Sequence, residues 1–535
     1  MLGIVKKDTE GIRSNDPSEV KYPPARAAIV RGTGATPSER YLAKVADKSF
    51  LNLWSYPNTF IDKRNGENGT GKELCDLLIV CGDHILIFSD KTVAWPGGED
   101  TDLAWKRWYK RAIQKSVDQV RGAERWITKF AERIFLDPQC TQRLPISLPP
   151  PERRKIHGIV VALGAGEACK KHFSADRGSL FVHPEVKGNE HWQGDGVQPF
   201  VIGDVDPQGP FIHVLDDATL DIVLGELDTI SDFTGYLTKK EKLIRSGQLL
   251  SAAGEEELVA YYMTHMNSAE QHDFTRPDGA DLGDAVVSFD VGFYDDLRRN
   301  PQYLAKKKAD EISYVWDEVI NQFTKNMLAG TSMVPDGMPT ELSELEKGIR
   351  HMALVPRYKR RLFGEAVIDA LQKSNKTDRF TRSLLPGPKD PDQETAFFFM
   401  TIAIPSKELA GGYEQYRLVR RNFLQVYAYA LAEKFRNLKR VVGIATEARS
   451  NISQGGSSED LVVLEPAGWS PEFLAKLEES KKIFGIMQND FQPYKPKQEP
   501  EFPRVSAPPL NRRGRKLNRK QRRAIAARAR NKTNT

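Results

Sequence analysis

At 535 residues, 40% of them hydrophobic and 28% charged, the chain is too long for one ordinary core and too apolar for a disordered protein, so two or three globular domains are expected. No apolar run approaches the roughly 20 residues that cross a bilayer, and MLGIVKKDTEG has no signal-peptide segment; the expected setting is the cytoplasm, with no membrane partner. The net charge is +6, but 11 Lys or Arg and no acid lie between Arg512 and Lys532, leaving 67 basic against 72 acidic residues, a formal −5, in the rest.

Residues 1–35 read as an irregular N-terminal arm, with YPPAR and GTGATPSE as turn chemistry. Pro37-Ser38-Glu39 opens a helix toward Leu53, with Leu42, Val45, Ala46 and Phe50 as its apolar stripe. LCDLLIVC and HILIFSDK read as two strands. The run from Asp100 to about Phe135 reads as one long helix, because Trp105, Trp108, Ala112, Ser116, Val120, Ala123, Ile127 and Phe130 recur at spacings of three and four. KIHGIVVALG reads as a buried strand, followed by short strands at SLFV, PFVIGDV and FIHVL and helices across 217–245. This order predicts an α/β domain over 36–245 built on a mixed sheet flanked by helices.

Residues 246–375 read as a mostly helical region. A second small α/β domain is expected over 376–490, where strands AFFFMTIAIP and RVVGIATEA flank one helix as a right-handed crossover and EDLVVLEP supplies a third strand. Residues 491–511 are a Pro-rich linker and 512–535 a basic tail that can build no core. Cys75, Cys81, Cys140 and Cys169 show no paired metal spacing, which fits a reducing compartment, and the nine histidines show no zinc motif.

The stretch GENGTGKELCDLLIVCGDHILIFSDK, residues 66–91, presents two chemistries. Gly66, Gly71 and Lys72 match the spacing of a phosphate-binding loop, but Glu73 stands where Ser or Thr must hold Mg²⁺, and a strand follows where a helix should open. The second half reads as a hairpin turning at Gly82-Asp83. That turn sets Cys81 opposite His84 and Asp76 opposite Ser89, with Lys91 on the same face; a three-residue loop would instead bring Asp90 beside Asp76 and turn Lys91 away. Phosphodiester hydrolysis uses carboxylates to hold Mg²⁺ and a basic group to orient water or steady charge.

An acid on one strand and an acid-x-Lys on its neighbour form the core of the PD-(D/E)xK nuclease superfamily, which the chain resembles over roughly residues 36–245. ELCDLLIV stands for the first strand, with Asp76, and ILIFSDK for the second, with Lys91; the helix of Glu39 precedes them, and the helix of Gln114 and Gln119 follows. Ser89 is a departure, since the superfamily usually has Asp or Glu two residues before the lysine; Glu39, or Asp90 at a bulge, would then supply the second acid. The resemblance implies a restriction-endonuclease-like core with Mg²⁺ (or Mn²⁺) held by Asp76 with Glu39 or Asp90. Ser89 would support a ligand or water, Gln119 would complete the site, and Lys91 would orient the nucleophile. The implied function is a metal-dependent endonuclease acting on DNA, with RNA a lesser substrate, in a restriction or phage-defence context. The alternative is a catalytically inactive nuclease fold serving as a nucleic-acid-binding or assembly module. A homo-oligomer is compatible with either.

Other basic stretches offer nucleic-acid contacts. KRWYKR, RYKRRLF and RLVRR each read as a solvated helical face or a contact surface. In the tail, Arg512, Arg513, Arg515, Lys516, Arg519, Lys520, Arg522 and Arg523 are the expected phosphate-binding residues.

Overall fold

The computed structural model describes residues 26–63, 70–98, 100–333, 341–374, 379–387, 392–404, 410–448, 458–488 and 500–504. The basic tail, Gly66 and the arm up to residue 25 lie outside the described residues. The described chain is mixed α/β, with three sheets and helices packed on them.

Helix α1 (Pro37–Phe50) starts at Thr36, whose side chain caps the Glu39 N–H, with Pro37 in the first turn, and it buries Leu42, Ala46 and Phe50. Strands β1 (Ser55–Ile61), β2 (Lys72–Cys81) and β3 (His84–Thr92) follow, antiparallel in sequence. Lys72 opens a strand rather than a helix, so the phosphate-loop reading fails on structure as on sequence. Helices α2 (Thr101–Tyr109) and α3 (Lys115–Lys129) are joined through a π-turn at 110–114. The helix ends at Lys129, short of the expected 135, and its Trp105, Trp108 and Tyr109 are core residues, so KRWYKR offers no aromatic platform. Strand β4 (Lys155–Leu163) pairs parallel to β3.

Helix α4 (Gly166–Phe173) precedes β5 (Phe181–Lys187), β6 (Val201–Asp204) and β7 (Ile212–Asp216). Strand β7 completes a five-stranded sheet of order β1-β2-β3-β4-β7. Helices on both faces explain why β2 and β3 are near-continuous apolar runs instead of alternating ones.

Helices α5 (Thr219–Glu226) and α6 (Ile230–Arg245) lead to β8 (Leu249–Ala252), α7 (Glu255–Thr264) and β9 (Val287–Phe289). A second sheet, of order β6-β5-β8-β9, crosses the boundary expected at 245/246: β5 and β8 are paired neighbours. The mostly helical region therefore begins after a shared sheet, with α8 (Phe293–Arg299), α9 (Pro301–Asp310), α10 (Tyr314–Leu328), α11 (Leu342–Ala353) and α12 (Arg357–Lys373).

The third sheet joins β10 (Arg379–Leu384), β11 (Thr395–Ile402), β12 (Arg440–Glu447) and β13 (Glu459–Leu464), with α13 (Gly412–Lys434) as the crossover between the parallel β11 and β12, and α14 (Pro471–Ile483) after it. One face of this sheet, Phe397, Phe399, Val442 and Ile444, belongs to the same core as the first two sheets; the other packs Phe398 and Met400 against Leu424, Ala428 and Leu431 of α13. This sheet with α13 and α14 forms an α/β layer that shares a core with the rest.

Two expected basic surfaces are interior. Arg357 pairs with Asp228 and Asp317 at 2.8 and 2.7 Å, Arg360 with Asp317, and Arg361 with Asp310 at 2.6 Å, all buried. Arg420, fully buried, holds Asp460 at 2.7 Å. Arg357, Arg360 and Arg361 of RYKRRLF and Arg420 of RLVRR thus bind the fold's own acids instead of facing solvent. The segment 500–504 returns to this helical layer: Glu501 meets His272 at 2.9 Å and Lys306 at 3.4 Å, its carbonyl accepts from Arg361, and Phe502 packs on the core.

Candidate active site

The hairpin turns at Gly82-Asp83, with Gly82 at φ +61° and Cys81 paired to His84, which is the two-residue loop and not the three-residue one. The β2–β3 ladder runs to Leu77↔Phe88. The Asp90 N–H beyond it donates to Asp76 Oδ2 at 2.6 Å, so a carboxylate takes over where the backbone ladder ends.

Asp76 is 2% exposed and accepts three hydrogen bonds: from Asp90 N, from Lys91 Nζ at 3.2 Å to the same oxygen, and from Gln119 Nε2 at 3.3 Å to Oδ1. Lys91 also reaches the Asp90 carbonyl. Ser89, fully buried, donates to Gln119 Oε1 at 2.9 Å, so Ser89 supports Asp76 through the amide of α3. Gln114, one and a half turns earlier, bonds Asp118 at the surface and takes no part.

The two candidate second acids differ in what they are already doing. Glu39 accepts from the Ala35 N–H, the Thr36 hydroxyl and Asn58 Nδ2 at 2.8, 3.0 and 2.9 Å. It stands at the N3 position of α1, three residues after the capping Thr36, whose side chain accepts from its N–H. Burial works against its charge, but these donors outweigh burial and hold its carboxyl below the usual range. Asp90 is 4% exposed and neither of its oxygens has a hydrogen-bond partner of good geometry. Burial pushes its carboxyl up to about 6, with Asp76 and Glu39 adding to the rise and Ser38 and Lys91 opposing it. By strand alternation Asp90 shares the α1 side of the sheet with Phe88, whose ring lies 6.5 Å from that of Phe50. The uncommitted oxygens of the site are those of Asp90.

Two residues escaped the sequence reading. A bulge in β2 leaves Leu74 without a partner between the pairs Thr59↔Cys75 and Phe60↔Glu73. Strict alternation would turn Glu73 away from Asp76; the extra residue inverts the alternation and brings it round. Asn58, in the left-handed region at φ +48°, then divides its amide hydrogens between Glu39 and Glu73, both at 2.9 Å. Burial raises the Glu73 carboxyl, with Asp76 and Glu39 contributing, while Asn58 and Lys91 pull it down. A lone Asn in a strand-like run was the only signal that could have pointed to this bridge.

Lys91 thus touches Asp76 alone among these acids, while its charge also draws down the Glu73 and Asp90 carboxyls from a distance. Among the described residues no three His, Cys, Asp or Glu side chains form a ready metal cage. The sequence matches no family model, it matches no curated protein, and the fold matches no solved structure.

Proposed function

We propose that the chain is a metal-dependent phosphodiester hydrolase acting on DNA, with a restriction-endonuclease-like core of the PD-(D/E)xK kind. The observation that carries the reading is the meeting of Asp76, Lys91 and Gln119 at the point where β2 and β3 part, beside the uncommitted carboxylate of Asp90.

A Mg²⁺ ion needs one or two carboxylates, completing its shell with water and substrate phosphate, so the absence of a three-ligand cage does not argue against it. Asp76 would hold the ion, and Asp90, which β3 carries without a bulge on the α1 side, would have to come to it from that side where β2 and β3 part; an acid kept buried and unpartnered fits a group whose charge is meant to be balanced by a cation. Bound there, Mg²⁺ would supply charge stabilisation to the phosphate and a more acidic water. Gln119 and Ser89 fix the direction of the Asp76 carboxylate. Lys91 contributes positive charge on the open side, where it is about a third exposed. Glu39 serves α1 and Asn58 instead of the metal.

A second reading follows from Ser89 in the place of an acid and from Glu39 locked in its cap: the fold retained without the chemistry, as a nucleic-acid-binding module, within or outside a phage-defence role. Full-length protein incubated with supercoiled plasmid, with Mg²⁺ or with EDTA, separates the two. Nicking that requires Mg²⁺ and vanishes in Lys91→Ala supports the hydrolase; plasmid binding with no nicking in either condition supports the module.

A further inference from the structure

Hydrolysing a phosphodiester leaves an alkoxide that needs a proton, and none of the roles given above to the site's carboxyl groups is that of donating one. Among the four carboxyl groups, Asp76 and Glu39 each already accept three hydrogen bonds. Asp90 is buried and, by alternation, turned toward α1. Glu73 differs from all three. It is half-buried near the start of β2, its carboxylate accepts a single hydrogen bond among the described residues, and the donor is the bridging amide of Asn58.

The local backbone is arranged around it. The bulge at Leu74 is what sets Glu73 on the Asp76 side, and Asn58 sits in a conformation that costs a non-glycine residue energy in order to hold it. Bulges of this kind re-aim a side chain next to sites of chemistry.

We propose that Glu73 is a further catalytic residue of this site, the general acid that protonates the leaving oxygen of the cleaved phosphodiester; the inference rests on the hydrolase reading above. The water oxygen forms its bond to phosphorus as the phosphorus–leaving-oxygen bond breaks. The carboxyl proton of Glu73 passes to the departing oxygen, giving a hydroxyl end. The proton of the attacking water goes to solvent, and the Glu73 carboxylate is reprotonated from solvent before the next turnover. Burial and the neighbouring acids, which hold the Glu73 carboxyl above its usual range, favour the protonated form that the step consumes.

The test compares two substrates that differ in their need for a proton. Plasmid DNA leaves a sugar alkoxide; bis(p-nitrophenyl) phosphate leaves a stable nitrophenolate that departs without one. Glu73→Gln keeps an oxygen to accept from Asn58, so the bridge survives. With Mg²⁺, turnover of plasmid at saturation is expected to fall by about 10²-fold or more in Glu73→Gln. Turnover of bis(p-nitrophenyl) phosphate should stay close to wild type. Glu73→Asp should recover part of the plasmid activity, and its melting temperature checks that the strand is intact. Equal loss on both substrates, or no loss on either, overturns the assignment of Glu73. A wild-type protein inert on both overturns the hydrolase reading and this inference with it.

Discussion

Ser89 reaches Asp76 only through Gln119: the hydroxyl donates to Gln119 Oε1 at 2.9 Å, and the Gln119 amide donates to Asp76 Oδ1 at 3.3 Å. Ser89→Ala and Gln119→Ala should therefore each lower plasmid cleavage modestly, and the double variant should be no worse than Gln119→Ala alone, because residues in one network are not additive. Additive losses in a double-mutant cycle would show that Ser89 acts independently.

Asp76→Asn should abolish cleavage and Lys91→Ala should do the same, but their effects on folding differ. Asp76 is buried and accepts the Asp90 N–H, so placing an amide there costs about 1–3 kcal/mol. Lys91 is partly exposed and its removal should cost under about 1 kcal/mol. Urea melts of both variants, read beside the nicking assay, check the pair; residual full activity in either discards this site.

Asp90→Asn should stabilise the protein above pH 6 while removing activity. The native carboxyl titrates at about 6 against 3.8 for the ordinary group, so between those values the folded chain holds a proton that the unfolded chain releases. Stability tied to Asp90 is thus greatest at low pH and is lost as pH rises through about 6, on the order of 1–3 kcal/mol. Asn removes that loss. Measured at pH 7.5, an Asp90→Asn melting temperature at or below wild type contradicts the argument, and so does full cleavage by the variant alongside an inactive Glu39→Gln.

Acid should weaken the fold through buried histidines. Burial lowers His84 to about 4, His157 to about 3 and His191 to about 4, with Lys155 adding to the fall at His84 and His157. His84 and His157 are hydrogen-bonded at 3.0 Å. The unfolded chain takes up these protons near 6.5 while the native one refuses them, so their contribution to stability is complete above 6.5 and falls as pH drops toward 4. The urea midpoint should decline from pH 7 to pH 5, and His157→Gln should flatten the decline.

Deleting residues 512–535 removes 11 positive charges and none of the described residues. Affinity for duplex DNA should drop, and log K against log salt should flatten by about 0.9 for each phosphate that the tail no longer neutralises. An unchanged slope would assign the tail to solubility. Turnover at saturating substrate should persist.

The hairpin was legible because a two-residue turn fixes register, and register fixes which side chains share a face. Glu73 was not, because a one-residue bulge leaves no mark in an apolar run. The engagement of Glu39 was hidden for another reason: the T-x-x-E of residues 36–39 reads equally as a helix cap and as a source of a free acid, and only the donors around Glu39 show that its oxygens are taken. The buried arginines of RYKRRLF looked solvated because their partners, Asp228, Asp310 and Asp317, lie 40 to 129 residues away in sequence. The second sheet escaped notice because its strands are short and the antiparallel partner of β5 comes after two helices and two other strands.

The docking of Glu501 among His272, Lys306 and Arg361 makes the end of the described chain a mooring. Whatever residues 505–535 grasp is held on a leash of at most about 3.3–3.6 Å per residue, measured from Arg504 on the helical layer and not from the third sheet. Glu501→Ala would remove the carboxylate that His272 and Lys306 hold without removing a single positive charge.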